Sequence, residues 1–276
     1  MVTTPIISFT ADVAEPDIYN DVCDLPTPFT LNILLGITNT HPSNTLYFKA
    51  SIVTPPADYS VSSTNLGSLA PGASGFFIFT PVRAKPTLTA GAYDETLTLR
   101  IDAYTDSGYS VAYANKTLST AIHHFDHTDA SWTVLEHADF TNDVCGWTYV
   151  GGFGGANPIV NTHFYSSPSA VQVSFTSYGS NYGPGTLTKT LNTGAKTKAR
   201  IIYHLYHDGN ANDDAIQITV GGVIKKPRTI PLPTSKWIRL AYNFPVNQNV
   251  TTEFWCRGAM YDYPYYWIDE IWVITK

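Results

Sequence analysis

Four groups of residues in this chain of 276 carry side chains that could do chemistry. Adjacent carboxylates stand at Asp213-Asp214 and at Asp269-Glu270. Glycoside hydrolysis needs two carboxyls flanking one bond, but neighbours in a strand point to opposite faces, so Asp269 and Glu270 are not expected to work as such a pair. Asp213-Asp214 closes the oxygen-rich run Asp208-Gly209-Asn210-Ala211-Asn212. That run lacks the spacing of an EF-hand loop and reads as a polar turn. His123, His124, Asp126, His127 and Asp129 offer imidazole and carboxylate, which suit zinc-like ions, at a spacing that matches no defined zinc motif. A solvated linker is the simpler reading of that stretch. The fourth group is aromatic: Tyr261, Tyr263, Tyr265, Tyr266 and Trp267 crowd one short segment that runs into a final β-branched strand. Nucleophile elbow, phosphate loop and HExxH motif are all missing from the sequence. Gly151-Gly152-Phe153-Gly154-Gly155 leads to Asn157-Pro158 and reads as a flexible loop. The expectation is a protein that is not an enzyme.

Aromatic residues suit binding better than bond-breaking. Tyrosine and tryptophan stack on the apolar CH faces of a sugar, while Asn, Asp, Arg and His take its hydroxyls. Between Arg200 and His207, Ile201, Tyr203 and Leu205 share one face, which leaves His204 and Tyr206 on the other. Ile238, Leu240, Tyr242 and Phe244 likewise leave Trp237 and Arg239 opposite. Tyr178, Asn181 and Tyr182, with Tyr261, Asp262, Tyr263 and Tyr265, are expected to rim that surface from loops, the last group stiffened by Pro264. Tyrosine-rich patches also suit protein contacts. Two readings therefore stand side by side: a surface that binds a glycan or glycoprotein, and a structural subunit (virus spike, turret, capsid or surface filament) that assembles with copies of itself or with other subunits.

The elements that must position these residues are strands. Phe29, Leu31, Ile33 and Leu35 recur at every second position, as do Leu46, Phe48, Ala50 and Ile52. Leu97, Leu99, Ile101 and Ala103 give the cleanest period of two, and Phe77 and Phe79 mark another short strand. Turn clusters such as Ala70-Pro71-Gly72 and Thr105-Asp106-Ser107-Gly108 separate the runs, which is the pattern of a β-sandwich. Val171, Val173 and Phe175 alternate again, and Gly221-Gly222 turns Ile216–Val220 back into a hairpin. No segment has a helical period. All six tryptophans lie from Trp132 onward, a step in composition that marks a second domain. The boundaries read as 1–120 with an N-terminal arm, a linker at 121–131, and 132–276.

Charge narrows the partners. Residues 1–130 hold 5 Lys/Arg against 12 Asp/Glu, a net of −7, and residues 131–276 hold 11 against 10, a net of +1. With no basic stripe, nucleic acid is disfavoured. No apolar run approaches the roughly 20 residues of a membrane span. Charged residues make up only 14% of the chain, so its surface must be Thr, Ser, Asn, Gly and Tyr, as in extracellular or virion-surface β proteins. The first ten residues lack the basic and apolar regions of a signal peptide. Two readings follow, a leader removed before Met1 or a virus protein released by lysis. Cys23, Cys145 and Cys256 form no framework; Cys145 and Cys256 read equally as a bonded pair or as buried thiols. Asn115-Lys116-Thr117 and Asn249-Val250-Thr251 are glycosylation sequons.

Two resemblances follow from motifs in order. Phe29 to Ile37 with Thr38-Asn39-Thr40, then Asn65-Leu66-Gly67-Ser68-Leu69-Ala70-Pro71-Gly72-Ala73, then Ala90-Gly91-Ala92-Tyr93, resemble an immunoglobulin-like accessory domain over residues 25–118. That likeness implies a spacer or docking module without chemistry. Asp139-Phe140 with Gly146-Trp147, Ser166 to Val173, Ile201 to Tyr206, Trp237 to Phe244, and Trp267-Ile268-Asp269-Glu270-Ile271 resemble the galactose-binding-like jelly roll of carbohydrate-binding modules over residues 133–274. The second likeness implies carbohydrate binding and a structural calcium ion held through Asp269. The family's glutamate after Asp-Phe is Thr141 here, so Glu136 or Asp139 would have to stand in for it. The fold class expected is all-β, with two β-sandwich domains: immunoglobulin-like, then jelly roll.

Overall fold

The computed structural model describes residues 9–14, 16–151, 159–160, 165–166, 169–173, 185–207, 216–225, 236–256 and 266–276. The protein is all-β: among these residues every regular element is a strand, and no helix is long and apolar enough to cross a membrane. The chain separates into two compact units, Met1–Asp126 and His127–Lys276.

The first unit contains β1 (Phe9–Val13), β2 (Asp17–Asp21), β3 (Phe29–Thr30), β4 (Ile33–Asn39), β5 (Leu46–Ile52), β6 (Tyr59–Val61), β7 (Ser63–Leu69), β8 (Ser74–Phe79), β9 (Val82–Arg83), β10 (Ala92–Tyr104) and β11 (Ala112–Phe125). They form sheets of order β1-β4-β8 and β2-β11-β10-β5-β7, with a small third sheet β3-β9-β6. The alternation read in the sequence sets the register. Leu99, Ile101 and Ala103 of β10 face Ile52, Ala50 and Phe48 of β5, and all are buried. Phe9 of β1 meets Phe48 edge-on at 5.5 Å across the sandwich. Residues Leu31 and Asn32 interrupt the first expected strand, which becomes β3 and β4.

One part of this core is ionic. Arg83 is only 1% exposed. Its guanidinium pairs with Asp58 and Glu95 and lies 5.1 Å from the Tyr59 ring centre and 5.8 Å from that of Tyr93. Glu95 also accepts the Tyr59 hydroxyl at 2.8 Å and lies 2.8 Å from His124 Nε2. Asn20 Nδ2 stands 3.1 Å from the other imidazole nitrogen. These contacts correct the linker boundary. Strand β11 runs through Phe125, paired with β10 on one side and, in parallel, with β2 on the other. Residues 121–125 are therefore strand, and His124 is a core residue. His123 is also engaged: it stacks on Tyr19 at 4.7 Å, with Nδ1 2.9 Å from Asp94.

The second unit contains β12 (Thr133–Ala138), β13 (Thr148–Val150), β14 (Ile159–Val160), β15 (Ala170–Val173), β16 (Gly185–Asn192), β17 (Ala199–His207), β18 (Ile216–Val220), β19 (Val223–Lys225), β20 (Lys236–Asn243), β21 (Asn249–Cys256) and β22 (Tyr266–Thr275). Its sheets are β14-β15-β22-β17-β20, with β12 also on β22, and β13-β16-β21-β18-β19. The hairpin at Gly221-Gly222 has φ of +58° and +78°, the left-handed pair that a two-residue turn requires and glycine supplies without strain. Between the sheets, Ile201, Tyr203, Leu205, Phe244, Phe254, Ile268 and Val273 form the core with Trp147. The final strand sits in the middle of its sheet, so the face of β22 away from the core is flanked by strands on both sides.

Candidate ligand-binding face

Directly opposed residues in a sheet share a face, and the register of the β22 sheet lines up two rows. Gln172 on β15 opposes Trp267 on β22, Trp267 opposes Tyr206 on β17, and Tyr206 opposes Trp237 on β20. One row along, Asp269 opposes His204, which opposes Arg239. The rings of the first row touch. Tyr206 lies 5.5 Å from Trp267 at 79° and 5.5 Å from Trp237 at 53°. In the second row Arg239 Nε donates to His204 Nε2 at 3.1 Å. The four residues expected together on the outer face, His204, Tyr206, Trp237 and Arg239, are thus together. The cause is the one read in the sequence: Ile201, Tyr203 and Leu205 are buried between the sheets, so alternation turns the others outward.

Part of this face is covered, which alternation could not show. His204 is 4% exposed because the Tyr165 ring stacks on it at 3.7 Å and 12°. Tyr165 itself is 45% exposed and stands 6.2 Å from Trp237 at 67°. Trp267 is 5% exposed. Tyr165 belongs to no strand, so no period marked it. Its one signal was its place just before Ser166, where the second segment of the jelly-roll resemblance begins.

Tyr165 is held by an irregularity in β22. Between the Asp269–His204 and Trp272–Ile202 pairs the register shifts, and Glu270 has φ +52°. A bulge of this kind re-aims side chains. The expectation that Asp269 and Glu270 point apart is corrected accordingly, because both reach Ser166. Asp269, fully buried, accepts the backbone N–H of Tyr165 at 2.9 Å, of Ser166 at 3.3 Å and of Glu270 at 2.9 Å. Glu270 accepts the Ser166 hydroxyl, the Trp272 indole N–H at 3.0 Å, and a contact of 2.8 Å from His137 Nε2. His137 stacks on Trp272 at 3.6 Å. Burial pushes the Asp269 carboxyl up, against the pull of its three amide partners. Burial also raises Glu270, but the hydrogen bonds from Ser166 and His137 outweigh it and hold the carboxyl below its usual range.

The donor set does not fit the calcium ion that the resemblance implied. Both Asp269 oxygens face N–H donors, which a cation would displace. Glu136 is taken by the Lys189 ammonium at 2.6 Å. Asp139 accepts the backbone N–H of Thr141 at 3.2 Å, the main cause of its lowered pKa. Among the described residues these three form no cluster of ligand spacing. Cys145 is a free thiol whose sulfur lies 3.8 Å from Asp139 and 3.7 Å from the Asp143 carbonyl; the Cys256 side chain lies outside the described residues. Burial raises the Cys145 pKa, as expected for an unreactive thiol. Tyr178, Asn181, Tyr182, Asp208, Asp213, Asp214, Tyr261, Asp262, Tyr263 and Tyr265 lie outside the described residues.

No protein-family model matches the chain, and neither does any curated protein. Similar solved structures include the secreted serine protease VesC from Vibrio cholerae, at 12% identity over 96% of this chain and TM-score 0.32; this chain spans half of that one. The CBM22-1 xylan-binding domain from Paenibacillus barcinonensis Xyn10C matches 52% of this chain and 94% of its own, at 13% identity and TM-score 0.36. TmCBM61, solved in complex with β-1,4-galactotriose, matches 50% of this chain and 94% of its own, at 13% identity and TM-score 0.37. Identities and scores are low, and the reading of the face rests on its own geometry.

Proposed function

We propose that the chain is a non-catalytic, extracellular or virion-surface protein whose second unit binds carbohydrate on the outer face of the β22 sheet. One observation carries this reading: Tyr165, Tyr206 and Trp237 gather as partly exposed rings beside Arg239, on strands held by a packed core. Such a group combines apolar ring faces for sugar CH groups with donors for hydroxyls. The test is a glycan array probed with the whole protein and with Trp237→Ala. Loss of a central aromatic anchor costs about 2 kcal/mol, or roughly 30-fold in affinity. Specific binding that falls by that factor supports the reading. A blank array with folded protein sinks it, and concentration-dependent self-association abolished by the same substitution would favour the assembly role.

A further inference from the structure

We infer that this face takes the end of a glycan, a single terminal sugar unit, rather than the interior of a long polysaccharide; the inference rests on the carbohydrate reading above. The four-residue row across the sheet looks at first like a track for an extended chain. Exposure shortens it. Trp267 and His204 are buried, which leaves Tyr165, Tyr206 and Trp237 as the accessible rings among the described residues.

Their orientation decides between the two modes. A flat, ribbon-like chain that runs over a surface stacks successive units on ring faces that lie nearly parallel. Here the Trp237 plane is inclined by 53° to Tyr206 and by 67° to Tyr165, with centres 5.5 Å and 6.2 Å away. Faces turned that far from one another make a corner. A corner holds one ring against one face while the neighbouring rings meet its edges, and among the described residues it gives the next unit of a chain no parallel platform. Polar groups are ready at the same place. Neither the Tyr165 hydroxyl nor the Trp237 indole N–H has a partner among the described residues.

The corner is also rigid. Tyr165 has no strand of its own to hold it, yet its backbone N–H is bound to a buried carboxylate and its ring is stacked flat on His204. The next residue, Ser166, is tied to the bulge twice, through its N–H to Asp269 and its hydroxyl to Glu270. Asp269 and Glu270 are accordingly positioning residues: they fix the wall of the corner without touching the ligand. An acid pair on a regular strand could not do this, because its two side chains would point apart.

The experiment measures solution affinities of the whole protein for the sugar found on the array, as monosaccharide, disaccharide, trisaccharide and hexasaccharide. The inference expects them to agree within about 3-fold, because each chain offers one end. A rise of 10-fold or more from monosaccharide to hexasaccharide overturns the inference and leaves the carbohydrate reading intact. Failure of every length to bind overturns both. Tyr165→Ala and Asp269→Asn test the wall. Each should weaken the monosaccharide at least 5-fold and move the His204 ring-proton resonances downfield, as the shielding Tyr165 ring departs. Wild-type affinity in both variants would refute the assignment of Tyr165, and unshifted His204 signals in Asp269→Asn would refute the role of the carboxylate. Tyr165 is about half exposed and outside any strand, so its variant keeps the test available if Asp269→Asn fails to fold.

Discussion

Removing the charge of Glu95 should destabilise the first unit by about 3 kcal/mol, the lower end for one member of a buried ion pair. Arg83 is almost wholly buried, and its two carboxylate partners differ: the Asp58 side chain is 37% exposed, whereas that of Glu95 is 8% exposed. Glu95→Gln is nearly isosteric and keeps an acceptor for the Tyr59 hydroxyl, so the charge alone is tested. Asp58 remains as partial compensation, hence the lower end. For a unit of this size that loss lowers the melting midpoint by roughly 10 °C. Glu95→Ala also removes the acceptor and should cost about 1–3 kcal/mol more. The assay is equilibrium denaturation followed by far-UV circular dichroism, which sees both units, beside tryptophan fluorescence. All six tryptophans lie in the second unit, so their emission reports that unit. A Glu95→Gln midpoint within about 0.5 kcal/mol of wild type, the range of ordinary surface substitutions, would refute the claim that Arg83 depends on this carboxylate.

Acid should weaken the first unit through two groups acting in the same direction. Burial raises Glu95, but hydrogen bonds from His124 and Tyr59 and the Arg83 charge hold it below the usual range. Its contribution is complete above the unfolded value of about 4.3 and is lost as pH falls through the folded one. Burial lowers His124, so the unfolded chain takes that proton first and stability declines below about pH 6.5. A first-unit midpoint unchanged between about pH 7 and pH 5 would contradict the His124 assignment, and one unchanged on further acidification below about pH 4.3 would contradict that of Glu95. Ser169 donates to the carbonyls of Phe140 at 2.8 Å and Thr141 at 2.9 Å, so Ser169→Ala should cost the second unit about 1–3 kcal/mol by tryptophan fluorescence. Gly221→Ala should cost at least about 1 kcal/mol in the same assay, since φ is +58° and a Cβ would stand 3.0 Å from Pro245 Cγ.

The strands were legible because burial on one face writes itself into every second residue, as at Leu97 to Ala103 and Ile201 to Leu205. The same alternation placed Tyr206, Trp237 and Arg239 on one face, since pairing β17 with β20 adds only register. Alternation fails where a strand is irregular, and the extra residue at Glu270 brought together two carboxylates that a regular strand would separate. It also says nothing of what lies over a face. His204 looked open and is covered by Tyr165, whose backbone N–H donates to a carboxylate on a strand about a hundred residues away. Arg83 was illegible for a related reason: Asp58-Tyr59, Glu95 and His124 are far apart in sequence, and only the sheet pairing assembles them. The calcium expectation came from resemblance alone, and amide donors and a lysine fill the places that its ligands needed.

The most direct measurement of the central claim is nuclear magnetic resonance of the whole protein titrated with a glycan selected on the array. Carbohydrate binding at this face predicts saturable shifts of the Trp237 indole N–H and of the Tyr165 and Tyr206 ring signals, while the core indole of Trp147 stays in place. Saturable shifts confined to other residues, or none with any glycan, would contradict it.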